Sequence, residues 1–90
     1  MSITDAHDVL KNVAALLTVK NEKYGNGVFD SDIFGTPPDV ALLARIGDKI
    51  RRLKTLLNHE QDTNGETIED TINDLIGYLA IYQALRRGAK

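Results

Sequence analysis

The chain of 90 residues contains no cysteine, no tryptophan and only two prolines. Without cysteine it forms neither a disulfide framework nor a thiolate metal site, which fits a reducing compartment. The formal net charge is −2, so a surface for duplex nucleic acid is not indicated. No apolar run approaches the length of a membrane span, and the opening MSITDAHD lacks the regions of a signal peptide. We therefore expect a cytoplasmic protein without membrane or duplex nucleic-acid partners.

The spacing of the apolar residues predicts three helices and no strand. The first helix is expected over about 4–22. The second follows a proline pair, with Thr36 as its N-cap, and continues to about 58. The third covers roughly 66–87. The fold expectation is therefore a single all-α domain, 1–90, small enough that covering its core is difficult for one chain.

The third helix carries a ridge of carboxylates. Glu66, Asp70 and Asp74 are spaced four residues apart, so they share one helix face. Like charges at this spacing are tolerated rather than preferred, unless a cation lies against them. Carboxylate oxygens are the ligands that Mg²⁺ takes, often together with the phosphates of a substrate. The ridge predicts a metal site, or alternatively a solvated acidic face. The apolar stripe is placed on the opposite side, at Ile68, Ile72, Leu75, Leu79 and Tyr82.

The second helix carries complementary charges. Arg45, Asp48, Lys49 and Arg52 fall on one side of it. Arginine and lysine suit the oxygens of a triphosphate, so this side is interpreted as a phosphate clamp beside the acidic ridge. The alternative is a network of salt bridges between the two helices.

The segment 75–82 of the third helix is apolar on nearly all sides. A helix of this kind is normally covered all round, which two partner helices in a short chain can hardly do. We therefore expect a homo-oligomer, a dimer or a tetramer, rather than a tightly wrapped monomer. Gly77 lies in this segment and would let another backbone approach.

Three segments together resemble a known group of proteins. They are KNEKYGNG, 20–27; R-x-x-D-K-x-x-R-L, 45–53; and E-x-x-x-D-x-x-x-D-L-x-x-Y, 66–78. In this order they resemble short bacterial and phage proteins of the nucleotide-modification-associated type. Those in turn are similar to the MazG-like, all-α nucleoside triphosphate pyrophosphohydrolases. For a phage-encoded chain, the compartment would be the host cytoplasm.

The resemblance implies a MazG-like helical bundle that hydrolyses a nucleoside triphosphate to the monophosphate and pyrophosphate. It implies Mg²⁺, or Mn²⁺, held by acids on consecutive helices. MazG-like enzymes show E-E-x-x-E on the preceding helix, where this chain has only Asp48. The catalytic and metal-binding candidates are Asp48, Glu66, Asp70 and Asp74. The candidates for binding the nucleotide are Lys23, Tyr24, Arg45, Lys49, Arg52 and Tyr78.

Two other functions stay open. The reduced acid set and the added cations favour a protein that binds or sequesters a nucleotide with little or no chemistry. Tyr24 would stack on a base and Lys23 would meet a phosphate, or the tyrosine is a packing residue before a glycine turn. The remaining alternative is a helical oligomerisation module whose charged faces form only salt bridges.

Overall fold

A computed structural model describes residues 2–24, 34–59 and 67–88 of the chain, without the side chains of 22–24. This part contains three α-helices: α1, Ile3–Tyr24; α2, Pro38–Asn58; and α3, Ile68–Arg86. The described ranges contain no strand, so the all-α prediction is confirmed for them. None of these helices combines the length and apolar character needed to cross a bilayer.

The start of α3 differs from the predicted start at Glu66, which lies outside the described residues. Thr67 is the N-cap, and its Oγ1 accepts a hydrogen bond from the Asp70 backbone N–H at 3.0 Å. The Asp70 carboxylate in turn accepts from the Thr67 N–H at 3.2 Å. This reciprocal capping box satisfies two N–H groups that the helix leaves unpaired, and it fixes the first helical residue at Ile68.

The other two helices begin close to their predicted positions. The N-cap of α2 is Pro37 rather than Thr36, and no side chain caps this end. Asp39 lies in its first turn, where its negative charge interacts favourably with the positive end of the helix dipole. At the start of α1 the Asp5 carboxylate accepts a hydrogen bond from the Ser2 backbone N–H at 2.9 Å.

Helix α3 packs against both of the others, and its contact with α2 is the more extensive. The buried apolar side chains are few: Val13 comes from α1, and α2 contributes Leu42, Ile46 and Leu56. On α3 the buried residues are Thr71 and Gly77. The Thr71 hydroxyl donates to the Thr67 carbonyl at 3.0 Å, so this fully buried polar group is satisfied.

The inward face of α3 agrees with the predicted one only in part. Ile72 and Leu79, which were expected to face the core, are 39% and 54% exposed. The side that contacts the other helices instead carries Thr71, Asp74 and Gly77. Small side chains let helices approach closely, and the charge of Asp74 is compensated by neighbouring helices. Ile68, Leu75 and Tyr82 of the predicted stripe are half-buried, so the stripe lies partly beside the packed face and partly outward.

Gly77 allows a close contact between helices, as predicted, but the helix that approaches it is α1 of the same chain. A Cβ atom at this position would lie 3.2 Å from Leu17 Cδ2 and 3.8 Å from Val13 Cγ1, both of α1. A contact of 3.2 Å is tighter than ordinary packing, so the missing side chain of Gly77 makes room for α1. The space expected to admit another subunit at Gly77 is thus filled by α1.

A candidate ionic site where the three helices meet

One carboxylate on α3 joins cations from both other helices. Asp74 Oδ1 lies 3.1 Å from Lys20 Nζ of α1, and Asp74 Oδ2 lies 3.0 Å from Lys49 Nζ of α2. Each oxygen of the carboxylate thus has its own ammonium partner. We call these three residues the ionic cluster. It is the point at which charged side chains tie the three helices together.

Burial makes this cluster different from an ordinary surface ion pair. The side chains of Lys49 and Asp74 are each only 22% exposed, whereas that of Lys20 is 55% exposed. Partial burial raises the pKa of Asp74, but hydrogen bonds and charges from Lys49 and Lys20 together outweigh this effect. The pKa of Asp74 therefore lies below its ordinary value, and its carboxylate is ionised at neutral pH.

Helical periodicity explains why these residues meet. Lys20 lies seven residues after Val13, and Lys49 lies seven residues after Leu42. Seven residues are close to two helical turns, so each lysine shares the face of a buried apolar residue. Asp74 lies between the two buried positions of α3. Each helix thus presents one charged group at its packed face.

Asp48 and Asp70, the other predicted acids that the structure describes, do not join the ionic cluster. Asp70 belongs to the capping box of α3, and Asp48 is exposed, with its carboxylate paired to Arg51 on the same helix. Glu66 lies outside the described residues. Within the described ranges no three histidine or acidic side chains lie close enough together to hold a metal ion. Of the acidic ridge expected to bind metal, Asp70 thus belongs to the helix cap and Asp74 to the ionic cluster.

Of the residues predicted to bind the nucleotide, Lys49 is in the ionic cluster. Arg52 is half-buried one turn further along α2, and Arg45 is exposed one turn before Lys49. Tyr78 is half-buried one turn after Asp74. The two remaining candidates, Lys23 and Tyr24, end α1, and their side chains lie outside the described part of the chain.

Lys20 is the residue of the site that sequence reasoning did not select. It opens the segment KNEKYGNG, in which the predicted binding residues are Lys23 and Tyr24. A signal for it existed: Lys20 continues the inner stripe of α1 that contains Val13 and Leu17, where a cation needs a partner from another helix. The spacing of Val13, Leu17 and Lys20 along α1 is therefore the sequence signal that indicates Lys20.

The chemistry of the ionic cluster suits an anion better than a metal ion. Two ammonium groups face one carboxylate, which leaves one positive charge in excess. A phosphate oxygen makes the same short, charge-assisted hydrogen bonds to lysine as a carboxylate does. Mg²⁺ would meet a single ionised carboxylate flanked by two cations, which is a poor donor set for a hard divalent ion. The ionic cluster by itself therefore suits phosphate better than Mg²⁺.

Comparison with known proteins found no matching family, no similar curated protein and no similar solved structure. The likeness to MazG-like proteins thus rests on the three sequence segments alone.

Proposed function

We propose that this protein binds the phosphate groups of a nucleotide at the ionic cluster. One observation carries the proposal. Each of the three sequence segments that resemble nucleotide-processing proteins supplies one member of the cluster. Lys20 comes from the first segment, Lys49 from the second and Asp74 from the third. Segments this far apart in sequence need not be in contact in the fold. A phosphate site that all three segments share would account for their contact.

Exposure and charge support entry of an anion. Lys20 is more than half exposed, so a phosphate reaches its ammonium group without unfolding the helices. Lys49 lies deeper and holds the anion in place from α2. The Lys20 ammonium group has three N–H donors and needs only one for Asp74, so it can donate to a phosphate oxygen while its ion pair with the carboxylate is kept. Arg45 and Arg52 on the same helix extend the positive charge along a polyphosphate.

Magnesium-dependent hydrolysis of a nucleoside triphosphate is the second candidate function. The three sequence segments that resemble MazG-like enzymes support it, and Asp74 is ionised at neutral pH, as a ligand for Mg²⁺ or Mn²⁺ must be. In this proposal Asp74, Asp48, Asp70 and Glu66 are the acids concerned. Mg²⁺ would supply positive charge at the phosphates. The binding function is preferred because Asp70 and Asp48 already have partners on their own helices and Asp74 is shared by two lysines.

A thermal-shift panel tests the binding function. It uses nucleoside triphosphates, the corresponding monophosphates and inorganic triphosphate, each with Mg²⁺ and with a chelator. A ligand held only by the folded state at about 100 times its Kd stabilises it by about 2.7 kcal/mol. For a domain of this size that corresponds to a rise in Tm of roughly 10 °C or more. We expect the rise with triphosphates, and we expect it to persist in the chelator.

The same panel separates the alternatives. Release of pyrophosphate that requires Mg²⁺ would establish hydrolysis in place of simple binding. If no nucleotide and no inorganic triphosphate raises Tm, the ionic cluster is only a salt bridge between helices. In that case the proposed function is wrong, and a helical oligomerisation module is left.

A further inference from the structure

Within the described residues, helix α1 is held against the rest of the fold by a short contact. It spans 22 residues, yet its contact with α3 is less extensive than that of α2. Among the buried apolar side chains of the described ranges, only Val13 comes from α1, whereas three come from α2. A helix with few buried apolar contacts opens at a lower free energy than the whole domain unfolds. We therefore expect α1 to separate from α3 more often than α2 does.

The contact between α1 and α3 has an apolar end and an ionic end. Val13 and Leu17 lie beside Gly77, within 4 Å of the place that a Cβ atom there would take. About one turn away on each helix, Lys20 pairs with Asp74 at 3.1 Å. The three residues of α1 share one face because they are spaced four and three residues apart. A dissolved anion reaches the ionic end, since the Lys20 side chain is 55% exposed.

The phosphate site is complete only while α1 is packed on α3. Lys20 comes from α1 and Lys49 from α2, so separation of α1 removes the more accessible of the two ammonium groups. The Lys20 ammonium group keeps N–H donors for a phosphate while it is paired with Asp74. With Lys49 as the second donor, a bound phosphate connects α1 to α2 directly. This connection adds to the existing one through Asp74 on α3.

We propose that phosphate bound at the ionic cluster stabilises the packing of α1 on α3, so that the position of α1 and the occupancy of the site regulate each other. The inference rests on the proposed phosphate-binding function and adds a conformational consequence to it. A ligand with a higher affinity for one conformation shifts the protein toward that conformation, and the coupling is reciprocal. Separation of α1 from α3 therefore also releases the phosphate.

Hydrogen–deuterium exchange of the full chain, measured peptide by peptide with mass spectrometry, tests the proposal. The probe is inorganic triphosphate in the presence of a chelator. Without it, we expect the backbone amides of α1 to exchange faster than those of α2 and α3, through separate opening of α1. At about ten times its Kd, triphosphate should slow the exchange of α1 about tenfold, because it binds only while α1 is packed on α3.

Lys20→Met and Lys11→Met are matched variants, since each removes one charge from an exposed position on α1. Lys20→Met removes the ionic end of the contact, so the amides of α1 should exchange about two- to fivefold faster without ligand. The slowing by the same concentration of triphosphate should largely disappear in this variant. Lys11→Met should behave as the wild type does in both respects. Equal exchange of α1 in the two variants would overturn the proposal.

The exchange of α2 and α3 separates a failure of this inference from a failure of the proposed function. If triphosphate slows exchange in α2 and α3 but leaves α1 unchanged, phosphate binds without α1, and only the inference is wrong. If triphosphate slows exchange in none of the three helices, the proposed function is wrong and the inference with it. If α1 exchanges no faster than α2 and α3 without ligand, α1 does not open separately, and the inference is again wrong.

Discussion

Asp74→Asn should lower the free energy of unfolding by about 1–3 kcal/mol at neutral pH, because it removes charge-assisted hydrogen bonds to two lysines. Lys49 would be left largely buried without its carboxylate partner. Urea denaturation followed by circular dichroism measures the change. This result is the opposite of what a ridge of repelling acids predicts, since neutralising one acid of such a ridge would stabilise the helix.

Asp48→Asn is the matched control for this variant. It makes the same chemical change in an ion pair that is exposed and lies within one helix. Surface pairs of this kind contribute little, so its effect should stay within about 0.5 kcal/mol. If the two variants unfold at the same urea concentration, the ionic cluster does not hold the helices together.

Acid should abolish the difference between wild type and Asp74→Asn. The pKa of Asp74 is lowered in the folded protein, so its contribution is complete above the unfolded-state pKa of about 3.9. That contribution is lost as the pH falls through the lower pKa of the folded state. A protonated Asp74 is neutral and close in shape to asparagine. The free energies of unfolding of the two proteins should therefore differ by a constant amount above about pH 5 and become equal in acid. A difference that persists in strong acid would contradict this.

Lys49→Met should weaken binding of a nucleoside triphosphate by about one to two decades. The reason is the loss of a charge-assisted hydrogen bond from a poorly solvated ammonium group, worth roughly 1.5–3 kcal/mol. Methionine has a similar length, so α2 keeps its packing. Isothermal titration calorimetry at constant ionic strength measures the affinity.

Lys54→Met is the control for general charge effects on binding. It removes the same charge from an exposed position on the same helix. Its affinity should stay close to that of the wild type, particularly at higher salt. Equal losses in the two variants would mean that the triphosphate senses only the overall charge of α2, not a site at Lys49.

Periodicity in the sequence was sufficient to place the helices, but not to choose their inner faces. The ends of α2 and α3 were predicted within two residues, since proline, threonine and polar turns mark such ends locally. The inner face of α3 was predicted only in part, because the exposed Ile72 and Leu79 look like core residues when one helix is considered alone. Asp74 is favourable at the packed face only because lysines from two other helices pair with it. Such tertiary contacts cannot be read from the periodicity of one helix.

The candidate site shows the same division. Lys49 and Asp74 were selected from residue type and spacing, and the structure brings them to 3.0 Å. Asp70 was selected for the same reasons, yet its carboxylate closes a capping box with Thr67. The pattern Thr-x-x-Asp at 67–70 is itself a sequence signal for that box, which would have separated Asp70 from the other acids.

The most direct measurement is a titration of the wild type with a nucleoside triphosphate, observed by NMR of the lysine side chains. Binding at the ionic cluster predicts that the signals of Lys20 and Lys49 shift together and saturate with one dissociation constant, while that of Lys54 stays in place. Saturation that leaves Lys20 and Lys49 unshifted would contradict the account, and so would the absence of any saturable change.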